Sequence, residues 1–182
     1  MTFKKYINIE RLGSEDNQDI LAFPEDDIYV ESKVDGGNGS MWLEEKDSTI
    51  HFGSRNHDLS SDKNEKIFAK CQIKLKEHLN NLNSKNIKLN SDYIYYFEWM
   101  EKHTINYTSA PFIIGFDIRL KRNIEQDDCG LFLDRNGKEE EFKRLEIECI
   151  PLVWSGKSKE LKELDINQLI PKSKYYEGLD EG

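Results

Sequence analysis

The chain has 182 residues, 37% of them hydrophobic and 34% charged, with a formal net charge of -9. That length fits one domain with a real core. The acidic balance excludes a protein that merely coats nucleic acid, while leaving room for an enzyme with a local basic groove.

The first 27 residues scatter Phe3, Tyr6, Ile7, Ile9 and Leu12 among polar groups. They contain no apolar segment of the secretory kind, and nowhere does the chain reach the roughly eighteen apolar residues of a membrane span. Cys71, Cys129 and Cys149 are odd in number and widely spaced. They make neither a disulfide framework nor a zinc knuckle, and they point to a reducing, cytoplasmic setting.

Residues 29–40, YVESKVDGGNGS, begin as a strand and break into a glycine-rich turn. Period-two alternation puts Tyr29, Glu31 and Lys33 on one side, just before Gly36, Gly37 and Gly39. A lysine held where backbone and ligand approach closely is a candidate nucleophile or phosphate contact. A Glu/Lys pair on a wet strand face is the plainer account of the same residues.

Residues 41–43 and 49–52 predict two strands joined by a charged turn. The second runs into Gly53-Ser54-Arg55-Asn56-His57, which aims a guanidinium from a strand end. Ile67, Phe68, Cys71, Leu75, Leu79 and Leu82 predict an amphipathic helix over 64–82. Lys63, Lys66, Lys70 and Lys74 form a stripe on another face, for which solvation is the default reading.

YIYYFEWM, residues 93–100, is strongly β-prone, with Glu98 as its one carboxylate. In a strand buried on both faces an ionised Glu98 must be paired or bind something. FIIGFDI, residues 112–118, is a second such run, with Phe112, Ile114, Phe116 and Ile118 on one face and Asp117 on the other. Asn136-Gly137 reads as a turn before a short helix over 139–145. Residues 147–154 read as a strand interrupted at Pro151. Ser158 is placed to cap a helix through Leu164, and a further turn from Asp165 stops at Pro171.

Four features recur in order: Glu31-Ser32-Lys33-Val34-Asp35-Gly36, Gly53-Ser54-Arg55-Asn56, Phe97-Glu98-Trp99 and Gly115-Phe116-Asp117-Ile118. Together they resemble the adenylation domain of the covalent nucleotidyltransferases, the superfamily of ATP-dependent ligases and capping enzymes. Lys33 to Asn38, with FEWMEKHTINYT and GFDI, is most similar to the ATP-dependent RNA ligase family, its nick-sealing branch in particular. The resemblance runs over residues 28–182, and four motifs in order are far more specific than any one.

The resemblance implies an α+β fold, unrelated to ATP-grasp, with antiparallel sheets flanked by helices and the nucleotide between them. It makes residues 1–182 one adenylation domain. It casts Lys33 as the nucleophile that takes AMP from ATP, Glu31 as the reader of the adenine amino group and Arg55 as a ribose and phosphate contact. It casts Glu98 as a ribose contact, Phe116 as the ring stacked on adenine and Asn38 as a group near the ribose or substrate end. AMP then passes to an RNA 5′-phosphate and is displaced by a 3′-hydroxyl, so the implied partners are RNA ends or nicked duplex. The implied cofactors are ATP and Mg2+.

The C-terminus departs from the family pattern. Glu177-Gly178 is followed by Leu179-Asp180, and Glu181-Gly182 ends the sequence. Glu181 is the candidate metal-side glutamate, and the strands expected after it are absent, so the domain is expected to be incomplete there, with an unpaired sheet edge. Two other readings stand beside the RNA ligase: a DNA ligase or capping-type nucleotidyltransferase, and a non-catalytic nucleotide- or nucleic-acid-binding relative.

Overall fold

A computed structural model describes residues 3–17, 19–46, 48–60, 66–101, 104–105, 107–121 and 130–175. The chain divides into two compact units. One comprises Met1–Tyr6 and Asp35–Cys149, the other Ile7–Val34 and Ile150–Gly182.

The first unit is built on a four-stranded antiparallel sheet. Its strands are β2 (Gly37–Leu43), β3 (Ile50–Ser54), β4 (Tyr93–Trp99) and β5 (Ile113–Leu120), in the spatial order β3-β2-β4-β5. All three pairings are antiparallel. The β-prone runs of the sequence supply the two strands β4 and β5, as their aromatic and branched residues suit a pleated surface.

Alternation gives this sheet two unlike faces. Met41, Phe52, Tyr95, Phe97, Trp99 and Ile118 point into the main core, where they meet Cys71, Leu75, Leu79 and Leu82 of a helix over Ala69–Ser84, α1. Phe142 and Leu145 join them from α2, Arg135–Arg144, and its C-terminal edge. Trp42, Ile94 and Tyr96 form a smaller aromatic cluster on the opposite face, covered by Phe3, Tyr6, Phe116 and Phe132.

Two boundaries move for identifiable reasons. Asn136-Gly137, expected as a turn, lies in the first turn of α2. Asp134 caps that helix by accepting the Gly137 amide at 2.8 Å, so the glycine sits where an otherwise orphaned N–H is already satisfied. α1 begins at Ala69, later than the periodicity suggested, because Phe68 before it adopts a left-handed backbone (φ 53°).

The second unit holds a two-stranded antiparallel sheet, β1 (Asp27–Glu31) with β6 (Leu152–Lys157). β6 starts just after Pro151, as the missing proline N–H requires. A helix over Ser158–Glu163, α3, follows directly. Ser158 is its first residue and not its cap. Its hydroxyl donates to the Leu21 carbonyl at 3.0 Å, while Glu160 turns back to accept the Lys157 amide at 2.9 Å. Asp165 then caps a short 3-10 turn, Ile166–Leu169, by accepting the Asn167 amide. Two ion pairs, Lys157 with Asp27 and Lys159 with Glu25, each 2.6 Å, tie this helix region to the start of β1.

Candidate functional site

In the second unit, β1 ends at Glu31, so Lys33 lies two residues past the strand. The register slips between Val30 and Glu31, which face Trp154 and Leu152 respectively. The Ser32 amide donates to the Pro151 carbonyl at 3.0 Å. Ser32 and Val34 are buried while Lys33 between them is exposed, and Glu31 is half-buried. The unbroken alternation of Tyr29, Glu31 and Lys33 is thus replaced by a bulge. Lys33 is displayed to solvent by two buried neighbours.

In the first unit, only the first of the three glycines after Lys33, Gly36, lies in the bend before β2. Gly37 and Gly39 are inside β2, and neither Gly36, Gly37 nor Gly39 has a positive φ. Their role is close approach. A β-carbon at Gly39 would fall 2.4 Å from the Trp99 ring nitrogen, and one at Gly37 would fall 2.3 Å from the Phe68 ring. At Gly36 it would meet Glu98, 2.8 Å from Cβ and 3.0 Å from Oε2.

Asn38 and Glu98 stand directly opposite each other across β2 and β4, on the aromatic-cluster face. One residue on, Gly39 pairs with Ser54 of β3. Arg55 is the first residue past that pair, exposed in a bend closed by the Ser54 amide on the His57 carbonyl at 2.8 Å. On the other side of β4, Ile114 of β5 faces Glu98.

Phe116 arrives on this face by an irregularity. Tyr96 pairs with Asp117 and Phe97 with Gly115, so Phe116 is the extra residue of a β-bulge. The expected alternation, with Asp117 opposite to Phe116, is therefore corrected. Phe116 and Asp117 both reach the aromatic-cluster side, and Ile118 returns to the main core. The Phe116 ring is 6.4 Å from Tyr96, nearly parallel at 25°, and Tyr6 stands edge-on to it at 5.0 Å and 83°. The Tyr6 hydroxyl donates to Asp117 Oδ2 at 2.8 Å. Burial pushes the Tyr96 phenol up to about 12, with the nearby Arg119 guanidinium opposing that rise.

Asn38, Glu98 and Arg55 therefore lie at one end of the sheet, and Phe116 lies further in, bulged between the Phe97 and Tyr96 rungs, on the face that Asn38 and Glu98 share. Two groups that sequence reasoning passed over support them. Tyr6 came from a lead-in segment read as featureless, and no local pattern marks it. Asp35 was visible within the Lys33–Asn38 motif without a role. Its amide donates to the Tyr107 hydroxyl at 2.8 Å, and its carboxylate accepts the Thr104 and Ile105 amides. Asp35 thus fixes the connection that follows Glu98 and Trp99.

Glu181, the candidate metal-side residue, lies outside the described residues, as does Cys129. Among the described residues no group of three or more His, Cys, Asp or Glu is arranged to hold a metal ion. Nor is any helix among them long and apolar enough to cross a membrane.

Comparison with known proteins follows the same lines. No curated protein sequence matches the chain. Solved structures do. An archaeal ATP-dependent RNA ligase superposes with a TM-score of 0.57 at 15% identity, covering 86% of this chain and 38% of that one. A Naegleria gruberi RNA ligase mutant solved with ATP and Mn gives 0.56 at 18% identity, with 88% and 47% covered. A putative ATP-dependent DNA ligase from Aquifex aeolicus gives 0.55 at 18% identity, with 87% and 42% covered. The chain spans less than half the length of these structures, which share its nucleotidyltransferase-type ligase fold. The family model described as RNA ligase matches residues 26–182, and the chain belongs to the RNA ligase family.

Proposed function

We propose that this chain is the adenylating part of an ATP-dependent RNA ligase, its two units together forming one nucleotidyltransferase domain. The observation that carries the proposal is the cross-strand pair Asn38–Glu98 in the first unit, with Phe116 further along the same sheet face and Arg55 just past the end of β3. Together they offer a cation, an amide, a carboxylate and an aromatic ring to a single ligand, the mixture that a nucleotide with its base, ribose and phosphates calls for. Phe116 stacks on adenine, Glu98 and Asn38 bind the ribose side, and Arg55 meets ribose and phosphate. Glu31 reads the adenine amino group.

The exposed Lys33 supplies the nucleophile. Its amine, once deprotonated, attacks the α-phosphorus of ATP. A P–N bond forms, the bond to the β-phosphate oxygen breaks, and pyrophosphate leaves. An oxygen of an RNA 5′-phosphate then attacks the lysyl-AMP phosphorus, breaking the P–N bond and returning the amine. A 3′-hydroxyl finally attacks that activated 5′-phosphate, forming the phosphodiester as AMP departs. The described residues make no metal site of their own, and no step here runs through one. Mg2+ comes into the proposal on the phosphate oxygens of ATP, the ligands it favours in such sites, with Glu181 as its proposed protein contact.

The test is incubation with α-labelled ATP and Mg2+ followed by a denaturing gel. Wild-type chain carries label and Lys33→Ala carries none. Label that persists in Lys33→Ala overturns the nucleophile, and an unlabelled wild type overturns adenylation by this chain. The likeness to a DNA ligase structure supports a second reading, DNA joining. Nicked substrates with a ribose or deoxyribose 3′-hydroxyl separate the two.

A further inference from the structure

α1 carries a charge pattern that the nucleotide site does not use. Lys66, Lys70 and Lys74 follow one another at four-residue intervals, through the turn before the helix and along its first turns. Lys70 and Lys74 are one turn apart, about 6 Å along the axis. All three are exposed. None forms an ion pair with another described residue.

In this they differ from three other surface lysines. Lys85 pairs with Glu146 at 2.8 Å, and Lys157 and Lys159 pair with Asp27 and Glu25 at 2.6 Å. The chain has 35 acidic residues against 26 basic ones. Three successive cations with no ion pair among the described residues stand against that acidic balance. Glu101 is turned to the helix backbone, accepting the Cys71 amide at 3.1 Å, while the exposed Glu77 stands one turn past Lys74. Ile73, 58% exposed, lies between Lys70 and Lys74 and offers an apolar contact beside the charges.

The row also starts at a defined place. Phe68, between Lys66 and Lys70, stacks on Trp99 at 5.8 Å and 16°, and its ring fills the space over Gly37. Gly37 and Trp99 are a cross-strand pair, and the next pair is Asn38 with Glu98. The lysine row thus begins beside the sheet end that bears Asn38 and Glu98, on the opposite, main-core face, and runs along α1.

We propose that Lys66, Lys70 and Lys74 bind the phosphate backbone of the RNA whose end occupies that site. The placement of the RNA end rests on the ligase reading, whereas the binding surface is measured without it. Each phosphate neutralised on a duplex contributes about 0.9 to the slope of log K against log salt concentration.

The experiment is fluorescence anisotropy of a labelled, 5′-phosphorylated nicked RNA duplex over a salt series, without ATP. The triple variant Lys66→Gln/Lys70→Gln/Lys74→Gln is expected to flatten the slope by about 2–3 and to weaken binding at low salt at least tenfold. Lys70→Gln alone flattens it by about 0.9, which guards against a misfolded triple variant. Lys85→Gln/Lys157→Gln/Lys159→Gln serves as the control and leaves the slope within one unit. An unchanged slope in the row variants, or an equal loss in the control, overturns the proposal. Label from α-labelled ATP is read on the same proteins. A flattened RNA slope without AMP label keeps the surface and removes the ligase reading, and label with no change in RNA slope does the reverse.

Discussion

Gly36 lies so close to Glu98 that a β-carbon on it would come within 2.8 Å of Cβ and 3.0 Å of Oε2, with Met100 Sδ at 3.1 Å. The glycine therefore sets where the carboxylate stands. Gly36→Ala forces Glu98 and Met100 aside, with an expected cost of about 1–3 kcal/mol and weaker ATP binding. Urea midpoints and ATP titration check this. An unchanged midpoint with unchanged ATP affinity would show that Glu98 relaxes freely.

Tyr6 holds the ring of Phe116 from its edge and bonds Asp117. Tyr6→Phe keeps the ring and loses only the hydroxyl, so stability falls by about 1.5–3 kcal/mol, the range for bonds to charged groups. Phe116→Ala removes the proposed stacking surface, an interaction of about 1–3 kcal/mol for a base on an aromatic ring. About tenfold more ATP is then needed for half-maximal labelling, with the wild-type label reached at saturation. A labelling curve unmoved by Phe116→Ala would remove that ring from the site.

Gly115 and Phe142 fit as a pair in the main core, where a β-carbon on the glycine would fall 2.5 Å from the Phe142 ring. Phe142 is fully buried, and Phe142→Ala is expected to cost about 3–5 kcal/mol. Gly115→Ala alone is destabilising through overlap. Combined with Phe142→Ala it costs nearly nothing more, because the cavity receives the added methyl. Strict additivity of the two denaturation energies would contradict this packing.

Alkaline pH should unfold the protein early. Burial pushes the Cys71 thiol up to about 11 and the Tyr96 phenol up to about 12, and burial with the Glu141 hydrogen bond raises Tyr95 as well. In each case the folded state favours the protonated, neutral group. Between the unfolded and folded pKa values the native state binds more protons than the unfolded chain, so stability falls as pH rises through that window. Urea midpoints at pH 8 and pH 10.5 are expected to differ, the second being lower. Equal midpoints would refute it, as would alkylation of Cys71 at pH 8 as fast as that of a free thiol.

What the sequence made legible was what local chemistry decides. Residues 93–100 and 112–118 became β4 and β5 because their aromatic and branched side chains have few other uses. The apolar spacing from Cys71 to Leu82 became the buried side of α1. Arg55, Asn38, Glu98 and Phe116 were named from motifs; Asn38 and Glu98 are a cross-strand pair, and Phe116 lies further in along the same face. Pairing decides the rest, and pairing is not local. The slip at Glu31, which leaves Lys33 between two buried residues, depends on Leu152 and Trp154, far along the chain. The partners of Tyr6 are more than eighty residues away, at Tyr96, Phe116 and Phe132. Gly137 was misjudged as a turn because Asp134 satisfies its amide, a cap visible only once the helix start is known.

The bulge at Phe116 sets two demands in opposition. Deleting that one residue would let Tyr96–Asp117 and Phe97–Gly115 become successive rungs of an uninterrupted ladder, a more regular sheet. The same deletion would take away the aromatic ring while leaving Asp117 and Ile118 on their present sides. A more regular ladder would thus be gained at the cost of the ring that covers Tyr96, and under the proposed stacking role a screen for nucleotide binding would reject the shortened β5.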